Sequence, residues 1–252
     1  MTQFTKLIKN LSAQSDTPKT PLVFLTTGAF NPIHNGHLSL FRIAKQSIEN
    51  RAEYNDKYVV IAGFISPSHD HYLQNKVRRE QAIPVDDRIT MARIAIEGQQ
   101  DLSSWVDVDE CEAKSAKFLD YWEVTQMMQK KLNGDVLPKI LKCGQRIGVM
   151  YLCGSDHVIN KGAEKLDQNG IFVVGRSTDE SWKEKCEQTL NEKYSNWKDF
   201  VIFAEGQYPK ISSTVIRAYY FCGNWQKIES MWPKTVADYL QDKMTITPSI
   251  PE

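Results

Sequence analysis

The chain has no excess charge of either sign: 31 Lys and Arg balance 31 Asp and Glu. That removes the basic footprint of a nucleic-acid binder. No stretch approaches the roughly 18 consecutive apolar residues of a membrane-spanning helix, so no membrane partner is expected. Residues Met1 to Leu7 lack the apolar run of a secretory signal. The first 40 positions contain no Arg, where a mitochondrial presequence carries several. The five cysteines, Cys111, Cys143, Cys153, Cys186 and Cys222, form no CxxC pair and no zinc-type Cys/His spacing. They read as free thiols in a reducing compartment, the cytoplasm or the nucleus. There is no internal repeat and no low-complexity tract. Apolar residues make up 41% of 252, enough for a sizeable core and too many for a disordered chain.

What is present alternates between two periodicities. Residues 1–21 read as an N-terminal tail or short helix, with Phe4, Leu7, Ile8 and Leu11 at helical spacing and a polar, proline-bearing stretch after them. Apolar strand-like runs follow at 22–27, 57–65, 105–108, 148–153, 171–174 and 201–203, several closed by glycine. Helical patterns begin at His37, at Asp86 as N-cap, and over about 115–132, 180–193, 213–222 and 233–243. Residues 66–84 read as a long polar loop, basic at its centre. Strands alternating with helices predict an α/β fold: a doubly wound, mostly parallel sheet over 22–243, with a C-terminal tail at 244–252. Ligands of such sheets sit beyond the carboxyl ends of the strands, which nominates the loops after Thr27, Ile65, Cys153, Val174 and Phe203.

The loop after the first strand is Gly28-Ala29-Phe30-Asn31-Pro32-Ile33-His34-Asn35-Gly36-His37. Gly28 lets a ligand approach the backbone, and Pro32 fixes the loop. His34 and His37 stand three apart where a helix begins, so both imidazoles face one side of a terminus that favours anions. After the sixth strand comes Ile211-Ser212-Ser213-Thr214-Val215-Ile216-Arg217. Ser212 or Ser213 caps a second helix, and Arg217 presents a planar fork suited to phosphate oxygens.

The first segment resembles the H-x-G-H motif of the nucleotidyltransferase superfamily. Its G-x-F-x-P-x-H flank is similar to that of the nicotinamide/nicotinate mononucleotide adenylyltransferases. The second resembles that family's I-S-S-T-x-x-R signature, about 180 residues downstream. Ile65-Ser66-Pro67, Trp105-Val106-Asp107-Val108-Asp109, Leu152-Cys153-Gly154-Ser155-Asp156 and Val173-Val174-Gly175-Arg176 resemble further elements of the family, so the likeness covers roughly 22–242. It implies a Rossmann-like nucleotidyltransferase fold in which His34, His37 and Arg217 are catalytic. It implies that Gly28, Ala29, Phe30, Gly154, Asp156, Arg176, Ser213 and Thr214 bind ATP. On the mononucleotide side it implies Lys76, Phe118, Trp122 and Glu205, with Phe118 or Trp122 stacking on the pyridine ring and Arg88 either structural or functional. The chain departs from the family between Asn160 and Gly170, which is short and lacks an L-W element, and at Pro209, where those enzymes have Asn.

The implied reaction moves AMP from ATP to the phosphate of nicotinamide or nicotinate mononucleotide. Mg²⁺ would travel with the ATP phosphates and no metal ligand would come from the protein. The partners are these small molecules, and a homo-oligomer stays open. Two alternatives share the ATP half: adenylyl or cytidylyl transfer to another phosphorylated acceptor, and a nucleotide-binding regulatory protein without turnover.

Overall fold

The computed structural model describes residues 4–14, 17–74, 76–136, 145–163, 170–176 and 179–246. Cys143 lies outside them. Six strands form one sheet: β1 (Thr20–Gly28), β2 (Tyr58–Pro67), β3 (Val106–Val108), β4 (Gly148–Gly154), β5 (Ile171–Arg176) and β6 (Val201–Tyr208). Their order is β3-β2-β1-β4-β5-β6, and every pairing is parallel. The sheet is thus wholly rather than mostly parallel, as βαβ crossovers require. The helices are α1 (Thr5–Ser12), α2 (Asn35–Asn50), α3 (Ala52–Asn55), α4 (Asp70–Gln74), α5 (Val85–Glu97), α6 (Tyr121–Lys131), α7 (Ser155–Lys161), α8 (Trp182–Lys193), α9 (Ser213–Phe221) and α10 (Lys234–Ile246). Among the described residues no helix is long and apolar enough to cross a membrane.

Both faces of the sheet are covered, which is why its strands read as continuous apolar runs. Leu22 and Phe24 point to the face packed by α2, α5, α9 and α10, where Phe41, Ile89, Ile216 and Val236 are buried with them. Val23 and Leu25 point the other way, onto α1 and α6, through Leu7, Leu11, Val124 and Met128. Helix α1 is therefore part of the packed body. A third cluster buries Val173 and Phe203 against Trp182, Cys186 and Leu190 of α8. At two glycines the layers press on the sheet. A Cβ on Gly63 would fall 2.6 Å from the Phe41 ring, and one on Gly175 would fall 2.2 Å from the Trp182 indole.

The observed ends differ locally from the expected ones. Helix α5 starts at Val85 with Pro84 at the cap position, so Asp86 lies inside the first turn rather than capping it. The loop expected over 66–84 contains α4 and a 3₁₀ turn at Arg79–Gln81. Strand β6 runs on to Tyr208 and contains an irregularity. Val173 pairs with Phe203, yet Gly175 pairs with Gln207 and Arg176 with Tyr208. Two extra residues of β6 bulge out there, with Gly206 at φ +116°.

The strand order reverses direction between β1 and β4, and the crevice of a doubly wound sheet opens at such a switch point. Near it, past the end of β3, lies a buried acidic pair. Asp109 and Glu112 are each 1% exposed, close to Ser66 and Ser68. Burial, reinforced by the Asp109 charge, pushes the Glu112 carboxyl up to about 8.

Candidate active site

A cleft of about 450 Å³ opens at the switch point, between Thr26 and Thr27 of β1 and Tyr151 and Cys153 of β4. A larger cavity, about 1020 Å³, lies at the amino ends of the strands, lined by Thr20, Tyr58, Gly148 and Gly170. The chemistry-bearing side chains converge on the smaller one.

His34 occupies the cap position of α2, and its backbone N–H donates to His37 Nδ1 at 3.2 Å. That bond leaves the proton of a neutral His37 on Nε2. The two rings stack at 3.6 Å with 15° between planes, and the Phe30 edge meets His37 at 4.9 Å. A Cβ on Gly36 would sit 3.0 Å from the His34 ring, so glycine leaves room for the pair. Phe30 reaches this position at φ +43°, an uncommon conformation for a bulky residue. Burial, with the Arg176 charge second, lowers His34 to about 3. Burial and the charges of His34, Arg176 and Lys76 hold His37 well below its ordinary value. Both imidazoles are therefore neutral at pH 7 and offer N–H dipoles rather than full charges.

Helix α9 brings the second motif against the first. Ser212 caps it by accepting from the Thr214 N–H at 3.2 Å. The Ser213 hydroxyl donates to Pro32 O at 2.9 Å, and Arg217 Nη1 donates to Asn31 O at 2.6 Å. Arg217 Nη2 donates to Thr214 Oγ1 at 3.2 Å, while its buried Nε is left without a partner. The two motifs thus share one loop and one cleft, with both helix N-termini facing it.

Arg88 underpins the loop from behind. Its side chain is fully buried and donates to Ala29 O, Ser68 O, Ile83 O and Asp70 Oδ1 at 2.7–3.1 Å. Of the two roles left open for it, structure is what these four bonds describe. Asn31 adds a second tie, donating to Gln81 O and accepting from the Ile83 N–H.

Across the cleft, Asp156 opens α7 and Arg176 ends β5, 3.4 Å apart. Both meet Tyr208, which the sequence did not single out. Its hydroxyl accepts from Arg176 Nε at 2.9 Å and donates to Asp156 Oδ1 at 3.3 Å. A Cβ on Gly154 would lie 2.4 Å from the Tyr208 hydroxyl and 2.6 Å from Asp156 Oδ1. Glycine there clears these side chains.

The expected residues therefore separate. Gly28, Ala29, Phe30, His34, His37, Lys76, Gly154, Asp156, Arg176, Ser213, Thr214 and Arg217 line the cleft. Phe118, Trp122 and Glu205 do not. Phe118 stacks at 5.1 Å on Tyr72, which lines the cleft in its place, and Lys76 sits 5.0 Å from the same Tyr72 ring. Next to Trp122, Tyr121 packs at 4.4 Å on Tyr151. Glu205, in the irregular stretch of β6, is exposed and meets Arg51 at 3.6 Å. His157, next to Asp156, also lines the cleft, and burial lowers it to about 4. Among the described residues no group of three His, Cys, Asp or Glu is arranged to hold a metal ion.

A family model described as cytidylyltransferase-like matches residues 25–219. The nicotinamide/nicotinic acid mononucleotide adenylyltransferase of Schizosaccharomyces pombe is 26% identical over 90% of this chain and 60% of its own length. Adenylyltransferase 1 of that name from Bos taurus is also 26% identical, over 90% of this chain and 89% of its own. The Saccharomyces cerevisiae adenylyltransferase 1 is 25% identical over 90% of this chain and 56% of its own. The chain thus spans less than two thirds of the two yeast relatives. In three dimensions it resembles the Plasmodium falciparum nicotinic acid mononucleotide adenylyltransferase complexed with APC, at TM-score 0.57 and 16% identity, covering 89% and 96% of the two chains. The match over 25–219, together with the Rossmann-like sheet and the two paired motifs at its switch point, makes this chain a member of the cytidylyltransferase-like family.

Proposed function

We propose that this chain transfers AMP from ATP to the phosphate of nicotinamide or nicotinate mononucleotide, releasing pyrophosphate and forming NAD or its deamido form. One observation carries the reading. Residues about 186 apart bind each other directly through Arg217 and Asn31 O, which joins the two helix N-termini into one anion site. The names of the fission-yeast, bovine and budding-yeast relatives supply the acceptor.

The geometry suits an in-line displacement. A mononucleotide phosphate oxygen forms the new bond to the α-phosphorus. The bond from that phosphorus to the bridging oxygen breaks, and its electron pair leaves with pyrophosphate. The nucleophile is already anionic at pH 7, so no general base is needed, and positioning and charge stabilisation do the work. His37 Nε2–H and the His34 ring would donate to the α-phosphate oxygens. Arg217, Ser213 and Thr214 would hold the β- and γ-phosphates, and Asp156 and Arg176 the nucleoside end. Mg²⁺ would arrive on the phosphates themselves, as it commonly does with nucleotides. Lys76, beside Tyr72, would meet the mononucleotide phosphate.

The position of Phe118, Trp122 and Glu205 outside the cleft favours a second reading, with the same ATP half and a different phosphorylated acceptor. One assay separates the two: ATP or CTP with Mg²⁺, each pyridine mononucleotide and a panel of other phosphorylated small molecules, reading pyrophosphate and dinucleotide. NAD or deamido-NAD formation supports the first. Pyrophosphate release with other acceptors alone replaces it by the second. Tight ATP binding with no release for any acceptor would identify a regulatory protein instead.

A further inference from the structure

Strand β6 would be an ordinary edge strand but for its bulge. From the pairing of Val173 with Phe203, an unbroken register would set Arg176 beside Gly206, which has no side chain. The two inserted residues set it beside Tyr208 instead. The Tyr208 ring is 5% exposed, and the Arg176 guanidinium lies 5.4 Å from its centre. Burial and the Asp156 charge push the phenol above its ordinary value, so it keeps its proton and can donate to the carboxylate. Asp156 itself is half exposed and Arg176 is one third exposed. Two long or solvated side chains at a cleft mouth otherwise sample several rotamers, and ordering them on binding costs affinity.

We propose that Tyr208 is a positioning residue: through its hydroxyl it holds Asp156 and Arg176 in the arrangement that receives the nucleoside end of ATP. This rests on the ATP half of the proposed function. The bulge thereby gives β6 a role in substrate affinity, although Tyr208 itself need not touch the reacting atoms.

The test is calorimetric titration of the full chain with MgATP, for the wild type and Tyr208→Phe, alongside steady-state kinetics and thermal unfolding. Phenylalanine keeps the buried ring and deletes only the hydroxyl. Expected are an approximately tenfold weaker Kd and an approximately tenfold higher KM for ATP, with kcat and the acceptor KM within about twofold and Tm within about 2 °C, the scale of a lost hydrogen bond to charged groups. A merely structural residue would lower Tm and move both KM values together. In an Asp156→Ala background the same substitution should cost about threefold or less, because one of its partners is gone. An unchanged Kd for Tyr208→Phe, or an undiminished tenfold loss in that background, overturns the proposal. Failure of the wild type to bind ATP brings down the functional reading with it, whereas a variant equal to a binding wild type brings down this inference alone.

Discussion

Glu112→Gln isolates the energetic cost of a buried acid. Glu112 is buried beside the Ser66 and Ser68 hydroxyls and the Asp109 carboxylate, and burial pushes its carboxyl up to about 8 in the folded chain against 4.5 as its ordinary value. The folded state therefore holds the proton more tightly than the unfolded state does. Stability contributed by this group is complete below pH 4.5 and is lost as pH rises towards about 8, after which the loss is constant. Each tenfold in proton affinity is worth about 1.36 kcal/mol, so the wild type gives up about 1 kcal/mol by pH 5 and about 4 kcal/mol by pH 8. Glutamine has nearly the same shape and no proton to lose. Subtracting variant from wild type removes the opposite trend from the depressed His34, His37 and His157, whose contributions fall as pH drops below 6.5. Urea unfolding of both proteins at pH 5, 6, 7 and 8 measures the difference. The variant should gain on the wild type by about 3 kcal/mol across that range, with equal m-values. Parallel stability curves would refute the account and place an ionised, compensated carboxylate at Glu112.

Three further outcomes follow from the same geometry. His37→Ala should lower kcat for adenylyl transfer by about 10²–10³, the scale of a lost oxyanion donor, with fold retained by circular dichroism; near-wild-type turnover would remove His37 from the chemistry. Nitrogen-15 NMR of the ligand-free protein should show His34 and His37 untitrated from pH 5 to 8, since both are held below that range by burial; a midpoint near 6.5 would contradict it. Gly63→Ala, which places a Cβ 2.6 Å from Phe41, should destabilise the chain by about 1–3 kcal/mol in chemical unfolding, as overpacking does.

The strands were legible because each is a local apolar run, and all six lie where the pattern placed them. The two helix starts that meet at the cleft were legible because glycine, proline, histidine and serine carry short-range signals there. Tyr208 was not: its role depends on a two-residue slip in strand pairing, which leaves only Gly206 as a trace in the sequence. Glu205 lies in the same irregular stretch of β6 and pairs with Arg51 outside the cleft, a placement the local sequence does not signal. Glu112 carries no local signal at all, because its environment is assembled from Ser66, Ser68, Asp109 and Arg88 on separate elements. Phe118 and Trp122 were chosen by residue type, whereas stacking geometry put Tyr72 and Tyr151 at the cleft wall.

The contact of Arg217 with Asn31 O also fixes when the site can exist during synthesis. The loop that carries His34 and His37 leaves the ribosome early, but its partner helix is made 186 residues later. Before that helix docks, the first half presents unpaired carbonyls at Asn31 and Pro32 and half of an anion site. Nucleotide that requires both halves stabilises only the finished fold, by mass action on the native state. Cellular ATP would thus protect the completed chain without rescuing a nascent one, and proteolysis of ribosome-bound chains ending before and after α9, with and without ATP, would register that difference.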